Sequence, residues 1–313
     1  MKKELKPIGV ALLFIICVVV AVWVYIGIRP AAPKDYQKSV ETGSAIEAKY
    51  MSNGGYEVSI YEETALQVFK KYVIYYPSEL ETAGKQYPVI VICNGSGTPV
   101  TKYPAVPKHY ASWGFIVIGT EEEYAWNGFA AEMSIRHLQR LNDARLMGDG
   151  KTNLFYQKID LSRVGIVGHS QGGAGVLNAV TAQKHKDIYQ AAVCLSPTNK
   201  ELADRLEWTY DAAYVDTPIL LISGAGGGDD WVVTGKQLES IYSDIAANKV
   251  MARRKSTVHS EMLYSADGYV TAWFMWHLQG DGEAAGAFAG TAPDLLQNPL
   301  YQDQHLDIGP YEG

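Results

Sequence analysis

Three cysteines in 313 residues are too few to staple a small scaffold. Cys17 lies inside an apolar run, and Cys93 and Cys194 each end a short one, so no disulfide is expected and the latter two should be small core residues. Basic residues are also scarce. Lys and Arg number 27 against 34 Asp and Glu, a formal charge of −7, which argues against a nucleic-acid partner. No H-x-x-x-H spacing occurs, and the G-x-G patterns at 95–97 and 148–150 do not continue as nucleotide loops, so neither a metal nor another cofactor is expected. Internal repeats and low-complexity tracts are missing as well, and the composition rules out collagen, coiled coil and a disordered tail protein.

Only one long apolar run is present. Residues 8–28, IGVALLFIICVVVAVWVYIGI, carry no charge, and a helix of about 20 residues crosses the hydrocarbon layer of a membrane. Lys2, Lys3 and Lys6 precede the run and Arg29-Pro30 follow it without a small-residue cleavage site, so residues 1–29 read as an uncleaved anchor with a cytoplasmic N-terminus. The expected location is the cell membrane, single-pass, with the bulk of the chain outside; secretion after cleavage is the alternative. Residues 30–49 mix Pro, Ala and polar residues and read as a linker, leaving 50–313 as one globular domain.

Within that domain, YVIYYP (72–77), PVIVIC (88–93), FIVIGT (115–120), RVGIVG (163–168), AAVCLS (191–196), PILLIS (218–223) and VMARRKST (250–257) are mostly continuous apolar stretches, as strands covered on both faces should be. Helical patterns at 103–112, 130–147, 172–184, 235–247 and 268–279 alternate with them. This rhythm predicts an α/β fold with a mostly parallel central sheet flanked by helices. Strands near 56–62 and 68–77 have no helix between them and should form an antiparallel hairpin at one edge. Residues 281–313 show no apolar period and are expected to wrap the surface irregularly.

The chemistry concentrates in DLSRVGIVGHSQGGAGVLNAV (160–180), where a strand runs into Gly168-His169-Ser170-Gln171-Gly172 and then a helix. G-x-S-x-G in that setting makes Ser170 a nucleophile on a sharp turn at a helix N-terminus. A serine hydroxyl needs a base, and the base needs a carboxylate to orient it. TPILLISGAGGGDDWVVTG supplies Asp230 as the expected acid, with Asp229 in reserve. His259 follows the last core strand and is the expected base, with His277 as its rival. His169 is too close along the chain to serve Ser170 as base. An oxyanion hole needs two N–H donors, expected from Gln171 and from Ser96 in the Cys93–Thr98 loop, with Gly97 as alternative. Tyr124 and Trp126, with Phe129, are candidate substrate-lining residues, or else pack beneath a loop.

ASWGFIVIGT (111–120), DLSRVGIVGHSQGGAG (160–175) and TPILLISGAGGGDD (217–230) together resemble the α/β-hydrolase superfamily, in particular its lidless dienelactone-hydrolase-like and bacterial cutinase-like polyester hydrolases. The resemblance spans about 56–280 and implies an α/β-hydrolase fold with the triad on Ser170, Asp230 and His259 and oxyanion donors on Ser96 and Gln171. The chain departs from it at several points. Its nucleophile is serine rather than the dienelactone hydrolases' cysteine, Gln171 stands where many polyester hydrolases carry Met, Ser196-Pro197-Thr198 replaces an aromatic clamp, and no cysteine follows Cys194.

Only 20 residues lie between Pro197 and Pro218, too few for a large cap domain, so the cleft should be open. The expected function is hydrolysis of carboxylic esters, small or polymeric, through an acyl-enzyme, by a monomer. An acyltransferase or peptidase using the same residues, or a non-catalytic binding module of the same fold, are the alternatives.

Overall fold

Buried apolar runs in extended conformation pair through their backbones because unpaired N–H and C=O groups are costly away from water. In the computed structural model, which describes residues 29–148 and 150–309, nine such segments form one sheet. They are β1 (Val58–Thr64), β2 (Lys71–Pro77), β3 (Tyr87–Cys93), β4 (Ile116–Thr120), β5 (Ile159–His169), β6 (Tyr189–Leu195), β7 (Ile219–Ala225), β8 (Lys249–Lys255) and β9 (Tyr301–Asp307). Their spatial order is β1-β2-β4-β3-β5-β6-β7-β8-β9. The six from β4 to β8 run parallel, while the β1–β2 hairpin and β9 add antiparallel edges.

Alternation along β3 sends Val89, Val91 and Cys93 to one face and Ile90 and Ile92 to the other, and every one of them is buried. Helices therefore cover both faces. On the first, Leu138 and Leu177 pack into the core from Phe129–Asp143 and Gln171–Thr181, and Leu238 from Gly235–Asp244. On the second, Tyr110 and Trp273 do so from Ala105–Ser112 and Asp267–Gln279. This is the mixed α/β architecture of the α/β-hydrolase fold. Between β6 and β7 stand only the short helix Lys200–Arg205 and a single 3₁₀ turn, so no cap domain rises over the C-terminal ends of the strands.

Three expectations are corrected. The membrane placement does not stand: among the described residues no helix is long and apolar enough to cross a membrane, and the run 8–28 lies outside those residues. Residues 30–49 are not a free linker. Ala32, Tyr36 and Glu47 are buried, the Tyr36 hydroxyl bonds to Asp267, and a helix at Ala45–Met51 packs on Asp267–Gln279. Glu47 Oε1 accepts from Arg254 Nη1 at 2.8 Å and from the Tyr301 hydroxyl at 2.8 Å, so one buried carboxylate ties this segment to β8 and β9. Polar composition hid these anchors, because the partners of Tyr36 and Glu47 lie more than 200 residues away in the chain. Finally, the region 281–313 contributes β9, whose exposed and half-buried residues, Gln302 to Asp307, carry too little apolar signal to mark a strand.

Candidate active site

The turn around Ser170 is shaped by what surrounds it. Ser170 holds φ 59° and ψ −123° between β5 and the helix Gln171–Thr181, a region that L-residues rarely enter. Close approach explains the flanking glycines: a Cβ on Gly168 would lie 2.1 Å from the Gly172 carbonyl oxygen, and one on Gly172 would lie 2.1 Å from that of Cys93. A serine in this strained turn projects its hydroxyl off the end of the sheet.

Two loops bring partners to it. His259 begins a 3₁₀ turn after β8, and its Nε2 lies 2.9 Å from Ser170 Oγ. Its Nδ1 lies 2.6 Å from Asp229 Oδ1. A neutral imidazole with its proton on Nδ1 would donate to Asp229 and accept from the serine hydroxyl. Asp229 is fully buried, and its Oδ2 accepts the Gly224 N–H at 2.6 Å and the Ser196 hydroxyl at 2.9 Å. Ser170 and His259 are half-buried, so the pair faces solvent without a cover.

Asp230, the acid expected from the sequence, is not at the histidine. Asp229 and Asp230 open a 3₁₀ turn, Asp229–Trp231, in which successive side chains diverge by about 120°. Only the first points inward. Asp230 is 52% exposed and pairs with Arg253 Nη2 at 2.7 Å. Trp231, the next residue, is 84% exposed and packs nothing behind the acid.

The other histidines have occupations of their own. His277 sits between Trp273 and Trp276, ring centroids 4.2 and 4.3 Å away, and burial pushes it down to about 4. It does not meet Ser170. His169 does not bond to Ser170 Oγ but reaches the other side of the site, its Nε2 lying 2.8 Å from the His259 carbonyl oxygen. Burial, and then the neighbouring His259, push His169 down to about 3, so it is neutral at ordinary pH and its Nε2–H is the donor.

Gly95 is buried against the same turn, where a Cβ on it would lie 3.1 Å from the His169 carbonyl oxygen and 3.6 Å from Ser170 Cβ. The next residue, Ser96, is exposed. The Gly97 N–H is taken by the Glu123 carbonyl oxygen at 2.9 Å, which leaves it no role toward a substrate. Gln171 is the first residue of its helix, where N–H groups lack partners within the helix. Its carboxamide is fully buried, and neither the oxygen nor the nitrogen has a partner. Asn94 braces this loop, donating from Nδ2 to the carbonyls of Thr120 and Glu122, both at 2.8 Å.

Tyr124 is 58% exposed on the segment whose Glu123 carbonyl holds Gly97. Trp126 is half-buried and its carbonyl accepts from Asn178 Nδ2 at 2.9 Å, which fixes it over the helix that begins at Gln171. Phe129 is 44% exposed and packs against Phe69. Among the described residues, no three His, Cys, Asp or Glu side chains converge as a metal site would require. Cys93 and Cys194 are buried and free.

Sequence reasoning missed Ser196 and His169. Both lie beside motifs that were read for other residues, and each acts through a contact of long sequence separation.

Comparison with known proteins gives two matches. The family model described as PET hydrolase-like matches residues 31–284. The chain is also 27% identical over 223 residues to a bis(hydroxyethyl) terephthalate hydrolase of Streptomyces coelicolor, a stretch that takes in 70% of this chain and 64% of that protein.

Proposed function

The chain belongs to the PET hydrolase-like family, and on that premise we propose that it is a serine hydrolase that cleaves carboxylic esters through an acyl-enzyme. The observation that carries this reading is the unbroken series of contacts from Ser170 Oγ to His259 Nε2, 2.9 Å, and from His259 Nδ1 to Asp229 Oδ1, 2.6 Å.

In the first half-reaction, His259 Nε2 takes the Ser170 proton as Oγ bonds to the ester carbonyl carbon. The carbonyl oxygen becomes an oxyanion, and the main-chain N–H groups of Gln171 and Ser96 receive it. Each donor of this kind is typically worth about 2.7–4 kcal/mol in the transition state. Asp229 Oδ1, accepting from His259 Nδ1, stabilises the imidazolium. Collapse of the intermediate breaks the bond to the alcohol oxygen, which leaves with the proton from His259. Water then enters, His259 takes its proton, and attack on the acyl carbon releases the acid and returns the proton to Ser170.

The half-exposed Ser170 and His259 favour water as acceptor over a competing alcohol, and the missing cap favours substrates too large to be enclosed. The relative's name points to esters of an aromatic diacid. Glu121 and Glu123, on the segment that bonds to Gly97, make neutral esters better substrates than anionic ones. Tyr124 and Trp126 would form one wall.

An organophosphonate probe tests the reading on the full chain. Wild type should label at one residue, Ser170, and Ser170→Ala should not. The wild type should also release acid from bis(hydroxyethyl) terephthalate and from p-nitrophenyl esters. Absence of labelling in the wild type, or labelling that survives Ser170→Ala, overturns it.

A further inference from the structure

Ser196 is a fully buried serine in the left-handed region, φ 42°, directly after β6. Glycine would adopt this conformation without strain, so a side chain retained here calls for a reason in its contacts. Its N–H bonds to the Ile222 carbonyl at 2.8 Å, which ties the turn to the end of β7. Its hydroxyl lies 2.9 Å from Asp229 Oδ2, and because an ionised carboxylate only accepts, the serine must be the donor. The following residues of the same turn face the nucleophile. A Cβ on Gly173 would come within 2.7 Å of Pro197, and the Thr198 N–H reaches the Ser170 carbonyl oxygen at 3.3 Å. One three-residue turn therefore touches the main chain of the serine and the side chain of the acid.

We infer that Ser196 is a positioning residue, whose hydroxyl holds the Asp229 carboxylate so that Oδ1 faces His259. The inference rests on the serine-hydrolase reading above. Asp229 Oδ2 has two donors, the Gly224 N–H at 2.6 Å and Ser196. The amide restrains one direction, and the hydroxyl supplies the second, which stops rotation about the Cβ–Cγ bond. A carboxylate held this way keeps the His259 proton on Nδ1 and leaves Nε2 free for Ser170. Without the hydroxyl, the carboxylate samples orientations in which the base is misaligned, and the chemical steps slow while substrate binding does not change. Left-handed strain at Ser196 is then retained because the turn that carries it also delivers the hydroxyl.

Two variants separate the hydroxyl from the backbone. Ser196→Gly removes both the hydroxyl and the strain; Ser196→Ala removes the hydroxyl and keeps the Cβ. Both should lower kcat for a soluble p-nitrophenyl ester by about tenfold to a hundredfold, the range for a lost bond to a charged group. KM should stay within about twofold, and the rate of organophosphonate labelling should fall by the same factor as kcat, while Ser196→Gly melts at or above the wild-type temperature. Wild-type kcat in Ser196→Gly overturns the inference, as does a loss carried entirely by KM. Failure of the wild type to label at all would be a different failure, that of the serine-hydrolase reading beneath it.

Discussion

Nε2 of His169 lies 2.8 Å from the carbonyl oxygen of His259, so the residue before the serine holds the main chain of the histidine that faces that serine. The two rings lie with centroids 4.6 Å apart. Two cations at that distance would repel, and burial removes the conflict by keeping His169 neutral. The loop that carries His259 is exposed at Ser256 and Val258, and this contact joins the bond from the Gly226 N–H to the Thr257 carbonyl, 3.0 Å, in tying the loop to the sheet.

His169→Phe should therefore lower kcat for a soluble ester by about tenfold, the worth of one hydrogen bond to a carbonyl, with a small change in melting temperature. Stopped-flow or steady-state assays of the variant check this. An unaltered kcat would mean that the loop needs no tie from this side.

The two adjacent carboxylates should behave differently. Asp229→Asn should lower kcat by roughly 10⁴-fold, because the amide favours the wrong imidazole tautomer. Asp230→Asn weakens only the pair with the buried Arg253, which keeps its bonds to the Gly224 carbonyl, and should leave kcat within about threefold. Steady-state kinetics of both variants, side by side, would expose a misassigned acid if the larger loss fell on Asp230.

Removing one partner of the buried Arg254–Glu47 pair leaves the other charge without compensation. Arg254→Met should destabilise the protein by about 3–5 kcal/mol, and Glu47→Gln, whose one acceptor oxygen cannot replace the two that Arg254, Tyr301 and Asn298 share, by a similar amount. Urea unfolding measures both. A cost under about 0.5 kcal/mol for Arg254→Met would mean that this ion pair contributes nothing to holding the segment 30–49.

Acid should destabilise the protein below neutrality. Burial pushes His109, His137 and His277 down to about 4 and His169 to about 3. Unfolding restores them to about 6.5, so the unfolded chain binds protons that the folded one refuses, and their contribution is present above pH 6.5 and lost as pH falls. Burial raises Asp267 and Glu122 to about 7, which acts in the opposite sense: their contribution is present below the unfolded carboxyl range and lost as pH rises through 7. Four histidines outweigh two carboxyls near pH 5.5, so stability should fall by roughly 2–3 kcal/mol per pH unit there. Urea titrations at pH 7 and 5.5 would contradict this if the midpoint held or rose on acidification.

Much of this site is readable before any coordinates. Ser170 is marked by a strand, a glycine-flanked turn and a helix within residues 160–180, and His259 by its place after the last parallel strand. The acid is not readable to the residue. Asp229 and Asp230 share composition, loop and neighbours, and they differ only in the direction each leaves a 3₁₀ turn. The same holds for β9, where Tyr301 is the one buried residue in a polar strand, and for Tyr36 and Glu47, whose partners lie more than 200 residues away.

By itself, the chain's order of residues determined the parallel sheet, the strained turn at Ser170 and the succession of serine, acid and histidine, because period and local backbone chemistry act over short stretches. Only the tertiary structure decided that Asp229 turns inward, that Ser196 bonds to the Asp229 carboxylate and His169 to the His259 main chain, and that residues 30–49 belong to the body of the fold. Those are contacts between distant segments, set by side-chain direction and by the need to pair every buried polar group, and neither is written in any local pattern.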